Sequence, residues 1–304
     1  MREILSKFLK RKAQENENMY VFSGDHGYAL FDELRKTNPT QFINAGVSEQ
    51  AMIGYAAGMA KEGMKPFVYG LSAFIPVRVL EFIKMDICYE ALPVILLGDG
   101  AGLVYATLGP SHQCAEDIAV LRTLPNISIF SPADEIEMLA CLEYAYEQNL
   151  PAYIRIGKAD KGFRHDFAEL KLKPELLEVR RVSSDVCIVA TGSLLELGNQ
   201  LSLNCGLSLY SAPFIHPLNK DAVLKQIQRF NTIISLEEHS IHGGLGSILS
   251  EIVSESADTK KIRVLRFGIS NRFTKYCGSY DYAIREHGLD YDTIHKKLLE
   301  LKCL

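Results

Sequence analysis

Gln41-Phe-Ile-Asn-Ala-Gly-Val-Ser-Glu-Gln-Ala-Met-Ile-Gly-Tyr-Ala-Ala-Gly-Met-Ala-Lys-Glu-Gly-Met-Lys-Pro-Phe-Val-Tyr69 decides the fold. It opens on a short strand-like run, Gln41–Asn44, and closes on another, Pro66–Tyr69. Between them, Gln50–Glu62 carries a helical pattern. A strand, a helix and a second strand in this spacing form a crossover unit whose strands run parallel.

The same alternation extends both ways from this unit. Tyr20–Phe22 precedes it as a strand, and Pro93–Leu97, Ile127–Phe130 and Ala152–Arg155 follow. Helical patterns fill the gaps over 73–89, 115–123 and 134–147. The rhythm breaks near Gly157 and resumes with strands predicted at Val186–Ala190, Leu207–Tyr210, Thr232–Ser235 and Ile262–Phe267. Gly192-Ser193 and Gly243–Ser247 each open a helix. Alternation of this kind predicts an α/β protein with mainly parallel sheets and helices on both faces, in two three-layer α/β/α domains. The expected division is 1–165, a linker over 166–184, and 185–304.

Composition fits that reading. The 304 residues are 47% apolar and 23% charged, near the average for a folded domain, so a packed core is within reach. Net charge is −4 with no large basic cluster, which argues against nucleic acid or an anionic membrane as partner. Seven cysteines, an odd number with no two spaced as C-x-x-C, read as scattered thiols in a reducing compartment. Ile4, Leu5, Phe8 and Leu9 share one helical face and predict a first helix packed on the core, not a leader. No apolar run approaches a membrane span, and a cytoplasmic protein is expected.

Glu49 opens a helix that is otherwise small and apolar. An acid in a first turn complements the helix dipole, and that alone would account for it. Gly54 and Gly58, with Ala51, Ala56, Ala57 and Ala60, leave a surface open to close approach. They point to a tight helix contact near the carboxylate, between subunits.

Gly46-Val-Ser-Glu-Gln50 and the helix after it resemble the pyrimidine-binding domain of transketolases and deoxyxylulose-phosphate synthases. Ser23-Gly-Asp25, Leu108-Gly-Pro-Ser-His112-Gln113, Leu121–Asn126 and Ser131-Pro-Ala-Asp134 are similar to further segments of that domain, in the same order. Leu236–Ser247 resembles the transketolase C-terminal domain. The resemblance covers nearly the whole chain and implies thiamine diphosphate as cofactor. It places Glu49 against ring N1′ of the aminopyrimidine, where it helps form the C2 carbanion. It places Phe74 and Leu71 along the pyrimidine and gives Asp25 to the cofactor site. Arg2, His112 and Lys158 fall at substrate-contact positions, with His112 also catalytic.

A complete transketolase also has an N-terminal domain that holds the diphosphate and Mg²⁺. The chain begins where the pyrimidine domain should begin, and Gly98-Asp-Gly100 reads as a turn after a strand. The resemblance therefore implies a separate N-terminal subunit supplying those ligands, in an α2β2 assembly. No metal ligand is assigned to this chain. Two substrate positions depart from the family pattern: Leu108 stands for an aspartate and Gly100 for a histidine. Their loss predicts an altered, wider sugar channel, open to modified sugars. Transfer of a two-carbon ketol unit from a ketose or ketose phosphate to an aldose-type acceptor is the leading expectation, and the retained Arg2 and Lys158 imply an anionic group, a phosphate, at the far end of the substrate. The alternatives are decarboxylation and ligation of a 2-oxo acid, as in deoxyxylulose-phosphate synthases, and a noncatalytic regulatory subunit.

Overall fold

The computed structural model describes residues 1–158, 162–256 and 261–304. Helix α1 (Arg2–Glu15) buries Leu5, Phe8, Leu9 and Ala13, one face at helical spacing. Then come β1 (Met19–Ser23), α2 (Tyr28–Thr37), β2 (Phe42–Asn44), α3 (Glu49–Lys61) and β3 (Lys65–Leu71). Val21 of β1 lies opposite both Phe42 and Phe67, so the opening stretch is the parallel unit expected.

The helix expected over 73–89 is present from Val77 to Cys88, but as three helical forms in succession. A 3-10 turn at Val77–Val79 leads into α4 (Leu80–Phe82) and a π-helical stretch at Ile83–Cys88. Pro76 has no N–H to give a helical ladder, which delays regular helix until after it. The domain continues with β4 (Ile95–Asp99), α5 (Asp117–Leu121), β5 (Ser128–Phe130), α6 (Glu135–Glu147) and β6 (Ala152–Ile156). Asp134 caps α6 by accepting from the Ile136 and Glu137 amides.

The rest comprises β7 (Leu177–Arg180), β8 (Val186–Ala190), α7 (Leu195–Cys205), β9 (Ser208–Ser211), β10 (Phe214–His216) and α8 (Lys220–Ile227). It ends with β11 (Thr232–Ser240), α9 (Leu245–Ser254), β12 (Arg263–Ile269), α10 (Tyr280–Glu286) and α11 (Tyr291–Glu300). The strand orders are β10-β5-β6-β4-β3-β1-β2 and β12-β11-β8-β9-β7. Among the described strands, only β10 and β7 join their sheets antiparallel.

Two features depart from the expected division. The segment 166–184 is not a bare connector, because β7 lies within it and pairs with β9 at the edge of the second sheet. And β10, from the second half of the chain, pairs with β5 and completes the first sheet. Phe214 packs edge-on against Phe130 there, with ring centroids 4.8 Å apart.

A buried polar network pins the halves together. Arg155 of β6 donates to Asp117 at 2.8 Å and to the Glu238 carbonyl at 2.6 Å. Tyr153 donates to the same aspartate at 2.8 Å. The Glu238 carboxylate accepts from the Leu103 amide at 2.7 Å, from the Tyr280 hydroxyl at 2.5 Å and from Ser193. His239 Nε2 accepts from the Ala119 amide, and burial lowers the His239 pKa to about 4, keeping the ring neutral. These contacts clamp both ends of the loop between β4 and α5. All seven cysteines are free thiols. Among the described residues no helix is long and apolar enough to cross a membrane.

Candidate active site

In the first sheet the chain runs from β1 outward to β2, then back across to β3. A doubly wound sheet opens a crevice at such a reversal, beyond the carboxyl ends of its strands. The loops after β1 and β3 meet there and carry Asp25, His26 and Phe74.

Glu49 is the first residue of α3 and only 7% exposed. Ser48 donates its hydroxyl to the Ala45 carbonyl at 2.6 Å and does not cap the helix. The carboxylate thus sits at the positive end of the helix dipole. Its Oε2 accepts from Arg78 at 3.4 Å. The Arg78 guanidinium carbon lies 3.9 Å from the centroid of the Phe74 ring, and Phe74 meets His112 edge-on at 5.3 Å. His112 Nδ1 lies 2.9 Å from the Ser111 hydroxyl. The structure therefore sets His112 against Phe74 and links Phe74 to Glu49 through Arg78, a residue that sequence reasoning missed. Its signal was a lone cation in an apolar stretch, four residues after Phe74.

A cavity of about 490 Å³ opens nearby, lined by Arg2, His26, Tyr69, Leu71, Asp99 and Tyr105 among others. Asp99, at the end of β4, accepts from Arg2 at 2.5 Å, Tyr69 at 2.8 Å and Tyr105 at 3.4 Å, all on Oδ2. His26 is half-buried, and its Nε2 has no hydrogen-bond partner among the described residues. Burial pushes its pKa down, against the opposing pull of Asp99, Glu49 and Asp25, so the cavity and Glu49 share one electrostatic neighbourhood. Asp25 itself is exposed, one residue before His26.

The channel expected to widen at Gly100 does not. Gly100 has φ +73°, and a Cβ there would run into the Tyr105 ring. Tyr105 fills the space that the missing side chain would have left. Leu108 is 52% exposed on the turn Ala106–Leu108. Lys158 is not among the residues lining the cavity; its amine lies 5.8 Å from the Tyr280 ring centroid, at the junction with the second domain.

Asp134, Glu137 and His165 form a buried cluster with metal-ligating atoms within 4.8 Å of one another. Its contacts account for it structurally. His165 Nε2 lies 2.9 Å from Glu137, the His165 amide donates to Asp134 at 2.8 Å, and Ser211 donates to Glu137 at 2.6 Å. The cluster is a second fastening between the halves.

Comparison with known proteins places these features in a family. Residues 1–161 match the transketolase pyrimidine-binding domain, and residues 176–294 match the transketolase C-terminal domain. The chain belongs to the transketolase family. It is 30% identical to one of the subunits of apulose-4-phosphate transketolase from Phocaeicola vulgatus, over 96% of this chain and 94% of that one. It is also 30% identical to the 1-deoxy-D-xylulose-5-phosphate synthase of Lawsonia intracellularis, over 98% of this chain but only 48% of the synthase. Among solved structures, a split-gene transketolase described as an inactive β4 tetramer superposes with TM-score 0.86. That match has 27% identity and covers 98% of this chain and 97% of the other.

The family implies thiamine diphosphate, and the geometry fits its aminopyrimidine. Arg78 presents a flat group bearing N–H donors, stacked on Phe74 and bonded to Glu49. Glu49 and Phe74 would hold an aminopyrimidine with a protonated ring nitrogen through the same kinds of contact.

Proposed function

We propose that this chain is the C-terminal subunit of a split transketolase, which transfers a two-carbon ketol unit from a ketose to an aldose acceptor. The observation that carries the reading is the chain of contacts from Glu49 through Arg78 to Phe74 and on to His112. Thiamine diphosphate, when bound, supplies the nucleophilic carbon that takes up the ketol unit. Glu49 holds a proton at ring N1′, in a site where burial strengthens the bond. Phe74 fixes the ring plane, with Leu71 beside it. His112, steadied by Ser111, contacts the donor oxygens. Leu108 puts an apolar side chain where the family has an aspartate, and this favours modified sugars.

The diphosphate and Mg²⁺ are assigned to an N-terminal partner chain. The near end-to-end match to a protein named as one subunit of a transketolase supports this, as does a structurally similar β chain that is inactive as a tetramer of its own. So does the outer face of α3. A Cβ at Gly54 or Gly58 would meet no described atom within 4 Å, so these glycines point away from this chain, whereas Ala56, Ala57 and Ala60 are buried in its own core. Val47, Tyr55, Met85 and Tyr89 lie exposed on α3 and the neighbouring segments. Such a surface beside a catalytic carboxylate suits a partner that closes over it.

Mixing tests the assignment. The purified chain is expected to turn over nothing, and activity should appear on adding the N-terminal subunit, in particles with two copies of each. Full activity from the chain alone would remove the partner from the proposal. The synthase relative keeps a second reading open, and a donor screen of ketoses against pyruvate separates the two. A noncatalytic role is disfavoured by the retained Glu49 and Phe74.

Arg78 gives a second test. Cofactor binding must displace its guanidinium from Phe74 and Glu49, contacts worth roughly 1 kcal/mol together at a half-exposed site. In the assembled enzyme, Arg78→Ala should therefore tighten thiamine diphosphate binding about fivefold by calorimetry. Weaker binding would show that Arg78 holds the cofactor rather than its place.

A further inference from the structure

We infer that Asp99 sets the charge of the substrate cavity, and that the sugar terminus received there is an uncharged, hydroxyl-bearing one rather than a phosphate. This rests on the ketol-transfer reading above and names its substrate class.

Among the described residues, Arg2 is the one arginine or lysine lining the cavity. Its guanidinium is already paired with Asp99 at 2.5 Å. Tyr69 and Tyr105 spend their hydroxyl protons on the same carboxylate oxygen. His26, the remaining basic side chain, is held toward its neutral form by burial. Glu3 adds a second carboxylate at the rim, itself paired with Lys7 at 2.6 Å.

Phosphate recognition draws on several N–H or O–H donors, as in arginine forks and helix N-termini, and a carboxylate in contact opposes it by like-charge repulsion. Here a phosphate would meet a buried carboxylate and two phenol oxygens whose protons point elsewhere. A sugar hydroxyl meets the opposite situation. It can donate to Asp99 or to a tyrosine oxygen, which a phosphate dianion cannot do, while accepting from an Arg2 N–H that Asp99 does not take. Asp99 lies within an apolar strand end that would otherwise leave Arg2 available to an anion. Its presence selects by repulsion as much as by attraction. It would set this chain apart from the relative whose name specifies a phosphorylated sugar.

The test uses the enzyme assembled with its partner subunit and thiamine diphosphate. Inorganic phosphate is titrated calorimetrically into wild type, Asp99→Asn and Tyr105→Phe. Two matched ketoses, with and without a terminal phosphate, are compared as donors. Wild type should bind phosphate at least about tenfold more weakly than Asp99→Asn and should prefer the unphosphorylated ketose. Asp99→Asn should reverse the preference. Tyr105→Phe, which keeps the charge, should leave phosphate excluded.

A wild type that prefers the phosphorylated ketose, with phosphate affinity unchanged in Asp99→Asn, overturns the inference. Equal gains in phosphate binding for Asp99→Asn and Tyr105→Phe would also overturn it, since packing rather than charge would then be at work. Should Asp99→Asn fail to fold, Arg2→Met decides. Similar losses for both ketoses support the inference, and a loss confined to the phosphorylated one overturns it. If neither ketose donates although the assembly binds cofactor, the ketol-transfer reading fails, while the phosphate titration still reports on Asp99.

Discussion

Glu49→Gln in the assembled enzyme should slow hydrogen–deuterium exchange at the cofactor C2 by about 10²- to 10⁴-fold, the usual worth of a positioned proton-transfer group. Glutamine keeps the size, the helix start and the place beside Phe74. It cannot share a proton with a ring nitrogen as a carboxyl group does. The substitution should therefore cost the activation step far more than it costs binding. Measuring exchange rather than turnover isolates that step from sugar binding, where Leu108, Asp99 and His112 would intervene. Glu49→Ala should fall at least as far, and should also release Arg78 from its ion pair. An unchanged exchange rate in Glu49→Gln would take Glu49 out of the mechanism and leave it as a helix-start residue.

Asp117→Ala should be the most destabilising single change at the domain junction, by about 3–5 kcal/mol. Burial disfavours the Arg155 guanidinium charge, and Asp117 together with Tyr153, Glu238 and Cys114 more than offsets it, so the Arg155 pKa stays raised. Both side chains are essentially inaccessible to water. Without Asp117 a full charge is stranded in the interior and Tyr153 loses its acceptor. Denaturant unfolding of the chain should show the loss directly. Asp117→Leu combined with Arg155→Met should recover most of it, because the pair removed together leaves no orphaned charge. If the double variant is as unstable as Asp117→Ala, then shape rather than charge compensation governs the junction.

Much of the fold is legible in local pattern. The unit from Gln41 to Tyr69 can be read because its apolar residues switch from strand to helix spacing and back within one stretch. Strand β8 lies where its apolar run begins and ends. The strands β7 and β10 escape such a reading, for different reasons. Leu177-Glu-Val-Arg180 does alternate, but inside a charged segment that composition marks as a linker. Phe214-Ile-His216 is three residues between prolines, and its pairing with β5 is a tertiary fact that local sequence does not encode.

The site divides in the same way. Glu49, Phe74 and His112 can be proposed before any geometry only because the resemblance to transketolases implies their roles. Arg78, His26 and Tyr105 depend on where loops place a side chain. Tyr105 reaches back five residues to fill the volume above Gly100, and only coordinates reveal that compensation. Asp99 looks like part of a turn, since nothing in Gly98-Asp-Gly100 announces that Arg2, nearly a hundred residues earlier, is its partner.

The return of β10 to the first sheet bears on how such a polypeptide can be cut and recombined. Severing the chain between residues 165 and 185 would leave β5 as a raw edge, with Phe130 deprived of Phe214. It would also divide the Arg155–Glu238 and Glu137–Ser211 contacts between two fragments. Neither fragment is then a self-sufficient module, although a domain map draws them as separable blocks. The smallest portable piece is the pair. A break elsewhere in a longer polypeptide can be tolerated if it spares this stitch, and a swap of one block for a homologous one must carry Phe214–His216 along with the sheet it completes.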